Sequence, residues 1–413
     1  AVGEEVLSSS TITGDRINGL MDGVHGGWFF RFDTRKPCFN NGLPLTLVIH
    51  RARLLDILLK AVGEDNVTAA TEVESYVEDK DGVTCKLSNG ETVRGDILIG
   101  ADGIRSKVRQ QMRGEETPLC YSQYTVYTGT CDFTNELTDV NQIGYQVFLG
   151  PDLYFVASDV GENTQQWYAF HREEPGGTDD KCMKEQLLEY FKDWTPAMKE
   201  RLECTKAEVI ERRDVYDLAP TIAPWGWSQG RVTLLGDAIH AVQPNLGQGG
   251  GQAIESAYTL ADELDKWAQG ERPNVQSALQ VYAGRRILRA GSIHGLSRMA
   301  ALMNIVYRPF LGSNPYGFYP QPVKDFWHQV EKLRIPHPGR VIGQIAMMGS
   351  MQYILEYVGS GFGTPQVLGG TPVTVANRRG ERPVVCQVPG ISSPKRPLSD
   401  DDFKMKGIPG LAE

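Results

Sequence analysis

The chain has 413 residues, 41% of them hydrophobic and 23% charged, and a formal net charge of −9. This is a globular composition with length for two or three domains, and the negative balance argues against a nucleic-acid partner. Seven cysteines, with no CxxC pair and no His/Cys cluster, favour reduced thiols in a reducing compartment over a disulfide framework or a zinc site. The opening AVGEEVLSSSTITGDR has no basic n-region and no apolar h-region, so no signal peptide is expected. It also lacks a starting Met, as though the chain began part-way through something larger.

Residues 45–50 (LTLVIH) read as a strand, and 51–62 (RARLLDILLKAV) as a helix with apolar residues at helical spacing. Residues 67–73 can pair as another strand. Residues 83–93 read as a hairpin turning at Asn89-Gly90. Residues 96–100 (DILIG) form a short continuous apolar run, the mark of a buried strand. From 121 to 172 the segments YTVYTGTCDF, YQVFLG, LYFVASDV and QWYAFHRE are aromatic and β-branched, with turn residues between them. They predict an antiparallel sheet forming its own layer.

Residues 180–206 read as helices, 215–219 lead into a loop, and 231–235 return to a buried strand. Helical patterns then cover 251–269, 274–302 and roughly 339–358. Beyond residue 359 Gly and Pro are dense and apolar periodicity is lost, so 359–413 is expected to be an extended tail. The nearest approach to a membrane span, VIGQIAMMGSMQYILEYV at 341–358, carries Gln344, Gln352 and Glu356 and does not qualify.

Two stretches point to chemistry. In VTLLGDAIHAVQPNLGQGGGQAIESA a buried strand delivers Asp237 to the carboxyl end of a sheet, where open α/β sheets bind ligands. An ionised carboxylate there can accept hydrogen bonds from ribose hydroxyls. Pro244, Gly247, Gly249, Gly250 and Gly251 let backbone approach a flat or phosphorylated group, and the helix that follows aims its N-terminal N–H groups at it. The plainer alternative is an Asp turn followed by a flexible glycine loop. In ILIGADGIRSKVR a second strand ends at Asp102 and Gly103; alone, Asp-Gly is a common turn. Together the two suit a nucleotide-binding crevice.

GADGIRSKVR and GDAIHAVQPNLGQGGGQAIE resemble the two downstream signatures of the FAD-dependent class A aromatic-hydroxylase-type monooxygenases, and Arg51 resembles the arginine that opens a helix near the flavin. Within that superfamily the segments GDRINGL, YTVYTGTCDF, QWYAFHREEPGG, IHGLSRMAALM and RIPHPGR are similar, in order, to the zeaxanthin epoxidase family. The resemblance covers roughly residues 14–358. It implies an α/β (α+β) fold: an FAD-binding Rossmann-like domain, an inserted antiparallel substrate domain, and C-terminal helices. The corresponding boundaries are 1–118, 119–215, 216–290, 291–358 and a tail at 359–413.

It further implies that Asp237 holds the ribitol or pyrophosphate region of FAD, that residues 247–251 lie against the isoalloxazine ring, and that Asp102 and Gly103 support FAD and the docking of a nicotinamide donor. The electron donor is NADPH or reduced ferredoxin. The implied chemistry is reaction of reduced flavin with O2 to a C4a-hydroperoxide, which transfers oxygen to the ring double bond of a xanthophyll. It needs no catalytic side-chain acid or base, and His240 is read as structural. Phe148, Tyr154, Phe155, Trp167, Tyr168 and Phe170 suit a long apolar substrate, with ordinary sheet-core packing as the alternative for each. The implied location is the chloroplast, stromal side, peripheral to the thylakoid membrane; the helices around 293–312 and 341–358 are either core or an interfacial surface.

The sequence departs from the family pattern in three places. No G-x-G-x-x-G occurs, so the FAD-binding domain is expected to be incomplete at its N-terminus. Gly251-Gln252 and Ser256 stand where the pattern has a bulkier pair and a second carboxylate after Glu255. No forkhead-associated domain follows, as in an algal type of the family. The rival expectation is a flavin-free, non-catalytic family member docked onto a thylakoid pigment–protein complex.

Overall fold

The aromatic and β-branched segments form the largest layer. In the computed structural model, which describes residues 2–14, 16–35, 45–132, 143–161, 164–177, 183–305, 308, 310–312, 320–338 and 341, the strands in chain order are β1 Thr11–Ile12, β2 Ile17–Asp22, β3 Trp28–Phe32, β4 Leu47–Val48, β5 Val73–Glu78, β6 Val83–Leu87, β7 Thr92–Gly95, β8 Leu98–Gly100, β9 Leu119–Asp132, β10 Ile143–Gly150, β11 Leu153–Gly161, β12 Thr164–His171, β13 Glu211–Leu218, β14 Ser228–Gln229 and β15 Val232–Leu234. The helices are α1 Val2–Ser8, α2 Arg51–Val62, α3 Lys107–Arg113, α4 Met183–Tyr190, α5 Pro196–Cys204, α6 Asp237–His240, α7 Gly249–Ala268, α8 Val275–Ile305 and α9 Gln321–Glu331. The helix expected over 339–358 and the tail over 359–413 fall outside the described residues, residue 341 apart.

Seven strands make one sheet in the order β13-β9-β12-β11-β10-β2-β3. All neighbours are antiparallel except β10 and β2, which are parallel. Residues 17–32, expected in the FAD-binding part, therefore belong to this layer. Side chains alternate across it with period two. On one face Tyr127, Phe148, Phe155, Trp167 and Ala169 pack under α4 and α5, against Leu187, Phe191, Trp194, Met198 and Leu202. On the other lie Tyr124, Val147, Tyr154, Val156 and Phe170, met by Ala301 of α8.

The second layer is smaller. β15 pairs in parallel with β8 and antiparallel with β14, and β5-β6-β7 form a separate meander whose tight turn places Gly90 at φ +86°, as Asn-Gly predicts. The strand expected at 67–73 begins only at Val73. Leu234, Ile239, Leu260, Leu279 and Tyr282 join β15, α6, α7 and α8 in one core. The long α8 enters both layers: its first half packs in this core, and Ala301 lies on the large sheet. No helix among the described residues is long and apolar enough to cross a membrane.

Candidate functional site

Because β8 and β15 are parallel neighbours, their carboxyl ends lie side by side. Asp102 follows β8 and Asp237 follows β15, both exposed. Gly236, at φ +62°, makes the sharp turn into α6. Asp102 accepts a hydrogen bond from the Val108 backbone N–H at 3.2 Å, and Ser106 caps α3 by accepting from Arg109 N–H. Although Asp237 reaches solvent, the protein packed about its carboxyl raises its pKa above the ordinary carboxylate value by desolvation.

Arg109 binds the two turns into one unit. Buried, it donates to the Ala238 carbonyl and to the Ile104 carbonyl, each at 2.6 Å. Only the basic run after Gly103 marks this residue in the sequence, because its partner carbonyl lies 129 positions away.

Past α6 the chain makes the tight turn Pro244–Leu246 and enters α7. Gly247 sits at φ +61°, left-handed backbone that favours glycine. Gly249 and Gly250 are different: a Cβ added to either would meet no protein atom within 4 Å. Their bareness satisfies no packing need of the chain itself, and leaves open space before the N–H groups and positive end of a 20-residue helix. Two strand-end carboxylates that can accept from hydroxyls and a bare helix N-terminus that can donate to an electron-rich group form a set that fits a flavin nucleotide.

Behind the loop, Gln252 and Ser256 have a use. Arg286 donates to Gln252 Oε1 at 2.7 Å and to Ser256 Oγ at 3.1 Å. Glu255 pairs with Arg286 at 2.7 Å and, through both oxygens, with Arg289 at 2.6 Å. His240 shares a 2.8 Å hydrogen bond with Ser256 Oγ. Burial, and then Arg286, pull its pKa down to about 4, so it is a neutral structural ring.

The substrate-lining residues divide between the faces of the large sheet. Tyr168 and Phe170 lie on the face toward the glycine loop. Phe148, Phe155 and Trp167 lie on the opposite face, fully buried under α4 and α5. The five cannot line one pocket: on β12 each residue faces away from its neighbour, so Trp167 and Tyr168 part company. Tyr154, the sixth of these aromatics, stands on the loop side with Tyr124, and both reach the loop itself. Arg51 is exposed at the start of α2, which packs against α1 and the turn at 64–66.

A model of the FAD binding domain family matches residues 44–294. The chain belongs to this family, that of the class A flavin monooxygenases. Among curated family proteins it is similar to the chloroplastic zeaxanthin epoxidase of Oryza sativa subsp. japonica, 46% identical over 91% of the chain and 55% of that protein. It is likewise similar to those of Spinacia oleracea, 46% over 86% and 52%, and Arabidopsis thaliana, 45% over 86% and 52%. The chain thus spans about half the length of the curated relatives it matches. Two solved structures similar in fold are the Klebsiella pneumoniae HpxO complex with FAD and uric acid (TM-score 0.68, 21% identity, 87% of this chain and 83% of that one) and a salicylate hydroxylase substrate complex (TM-score 0.63, 21% identity, 90% and 88%). They show the aromatic-hydroxylase fold.

Proposed function

We propose that the chain is an FAD-dependent monooxygenase that inserts one oxygen atom into the ring double bond of a xanthophyll. The observation that carries this reading is that the nucleotide-type crevice and the aromatic face are contiguous: the turn after Asp237 rests on that face through Tyr124 and Tyr154. The names of the curated relatives support the substrate class.

FAD, when bound, supplies the activation of O2. The chain's residues do the rest. Asp237 accepts hydrogen bonds from the nucleotide's hydroxyls, and Asp102 holds the neighbouring turn. The N-terminus of α7 faces the electron-rich end of the flavin. Tyr145, Tyr168 and Val126, partly buried members of the aromatic face, receive an apolar ring and exclude water. No side-chain acid or base is required, consistent with a His240 kept neutral. The reductant is NADPH or reduced ferredoxin.

The protein works in the chloroplast, at the stromal face of the thylakoid membrane. Peripheral contact there is supported by α9, where Phe326 is 60% exposed and Leu333, just beyond it, 68%.

The test supplies FAD, zeaxanthin in lipid micelles and, in parallel, NADPH or reduced ferredoxin under isotopically labelled dioxygen. The expected product carries one labelled oxygen; a wild-type chain that retains FAD yet labels no product overturns the reading. Asp237→Ala should weaken FAD binding by about 10–100-fold, the loss of a hydrogen bond to a charged acceptor. A second reading, a flavin-free subunit on a pigment–protein complex, is favoured by α2, whose Leu55, Leu58 and Val62 are 48%, 40% and 56% exposed. Co-purification with such a complex, without flavin, would support it.

A further inference from the structure

We propose that Asn245 is a positioning residue: it latches the glycine-rich loop to the aromatic face and sets the spacing between the flavin and the ring to be oxygenated. This rests on the functional reading above. Asn245 lies mid-turn, between Pro244 and Leu246. Tyr124 Oη donates to its Oδ1 at 2.8 Å, and its Nδ2 donates to Tyr154 Oη at 2.5 Å. The two tyrosines come from β9 and β11, with β12 between them. Phe170 on β12 holds both rings: Tyr154 stacks on it at 4.2 Å and 7°, and Tyr124 meets it edge-on at 5.6 Å. Both tyrosines are nearly inaccessible to solvent, and burial keeps their hydroxyls protonated.

A second anchor sits on the other side of Pro244. Gln243 Oε1 lies 3.2 Å from Tyr124 Oη and competes for the one proton that the closer Asn245 Oδ1 accepts, while Gln243 Nε2 donates to the buried Asp217 at 3.1 Å. Arg298 of α8 donates to both oxygens of that carboxylate at 2.7 Å. The turn's own backbone bond, from Gly247 N–H to the Pro244 carbonyl, is local. It shapes the turn without placing it; side chains place it. An amide, with an acceptor oxygen and a donor nitrogen, takes a proton from one phenol and gives one to the other, which an aliphatic chain cannot.

Latching also fixes what the face presents. With the hydroxyls of Tyr124 and Tyr154 engaged by the loop and their rings buried, the partly exposed part of the face is left to Tyr145, Tyr168 and Val126, which suits a hydrocarbon ring over a polar one.

The test is amide hydrogen exchange on the purified chain without added ligand, comparing wild type with Asn245→Leu and with Tyr154→Phe, which keeps the stacked ring and the fold. Exchange across 243–251 should quicken roughly tenfold in both variants, with β9 and β11 unchanged. With FAD, zeaxanthin, O2 and the reductant that supports wild-type turnover present, both variants should release more hydrogen peroxide per product while retaining FAD. Unchanged exchange in 243–251, or an equal rise in β9 and β11, overturns the latch. If the variants loosen the loop while the wild type oxygenates nothing, the functional reading fails and the loop anchor stands. An active wild type whose variants leave the loop unmoved gives the reverse.

Discussion

His240 shows how one buried side chain converts into a pH dependence. Its pKa is about 4 in the folded protein against 6.5 for an ordinary histidine, so the unfolded chain binds the proton more tightly. The stability owed to the neutral ring is complete above 6.5 and is lost as pH falls through about 4. The difference is worth about 3 kcal/mol. The melting temperature of wild type should therefore drop more steeply across that window than that of His240→Gln, which can keep the bond to Ser256; equal slopes would contradict it. Asp217 matters through the partners it holds. Asp217→Asn leaves Arg298 and Gln243 without their carboxylate and should cost about 2–3 kcal/mol in denaturant titration, near the low end for a broken buried pair because Arg298 can turn to water. Asp102, Asp237 and the glycines were readable in the sequence because a strand-end carboxylate and a glycine run are local signals. Arg109, Tyr124 and Asn245 were not, since the partners that give them roles lie 129 and 121 positions away.

At the level of elements, period-two alternation decides which aromatics serve the core. Trp167 donates its indole N–H to Thr205 at 2.7 Å and is fully buried. Trp167→Ala should cost about 3–5 kcal/mol. Tyr168→Ala, one residue on, should stay within about 1 kcal/mol of wild type and instead weaken binding of an apolar ring. Matching stability losses from the two would refute the division of faces. Gly150 tests the helix-side packing: a Cβ there would lie 2.3 Å from the Trp194 ring, so Gly150→Ala should destabilise by about 1–3 kcal/mol in a thermal melt. The buried strands and long helices were legible from apolar runs and 3.6-residue spacing. The strand INGLMD was not: it mixes polar and apolar residues without alternation, and its place is set by pairing with β10, over a hundred residues away.

Across the whole molecule, α8 is the member that joins the layers. Arg286 and Arg289, early in the helix, hold Glu255 behind the glycine loop. Arg298, three turns on, holds Asp217 at the end of β13. The crevice and the aromatic face are thus fixed to one rigid rod, and the turn at 244–246 lies between them. That continuity is what a flavin-dependent oxygen transfer needs: cofactor and apolar ring held at a set distance in a place without water. The measurement that tests it most directly is the absorption spectrum of the chain after incubation with FAD and gel filtration, alongside Asp237→Ala. Flavin bands travelling with the wild-type protein in stoichiometric amount, and lost from the variant, are the predicted result. A colourless wild-type chain after saturating FAD would contradict the account and favour the flavin-free binding subunit.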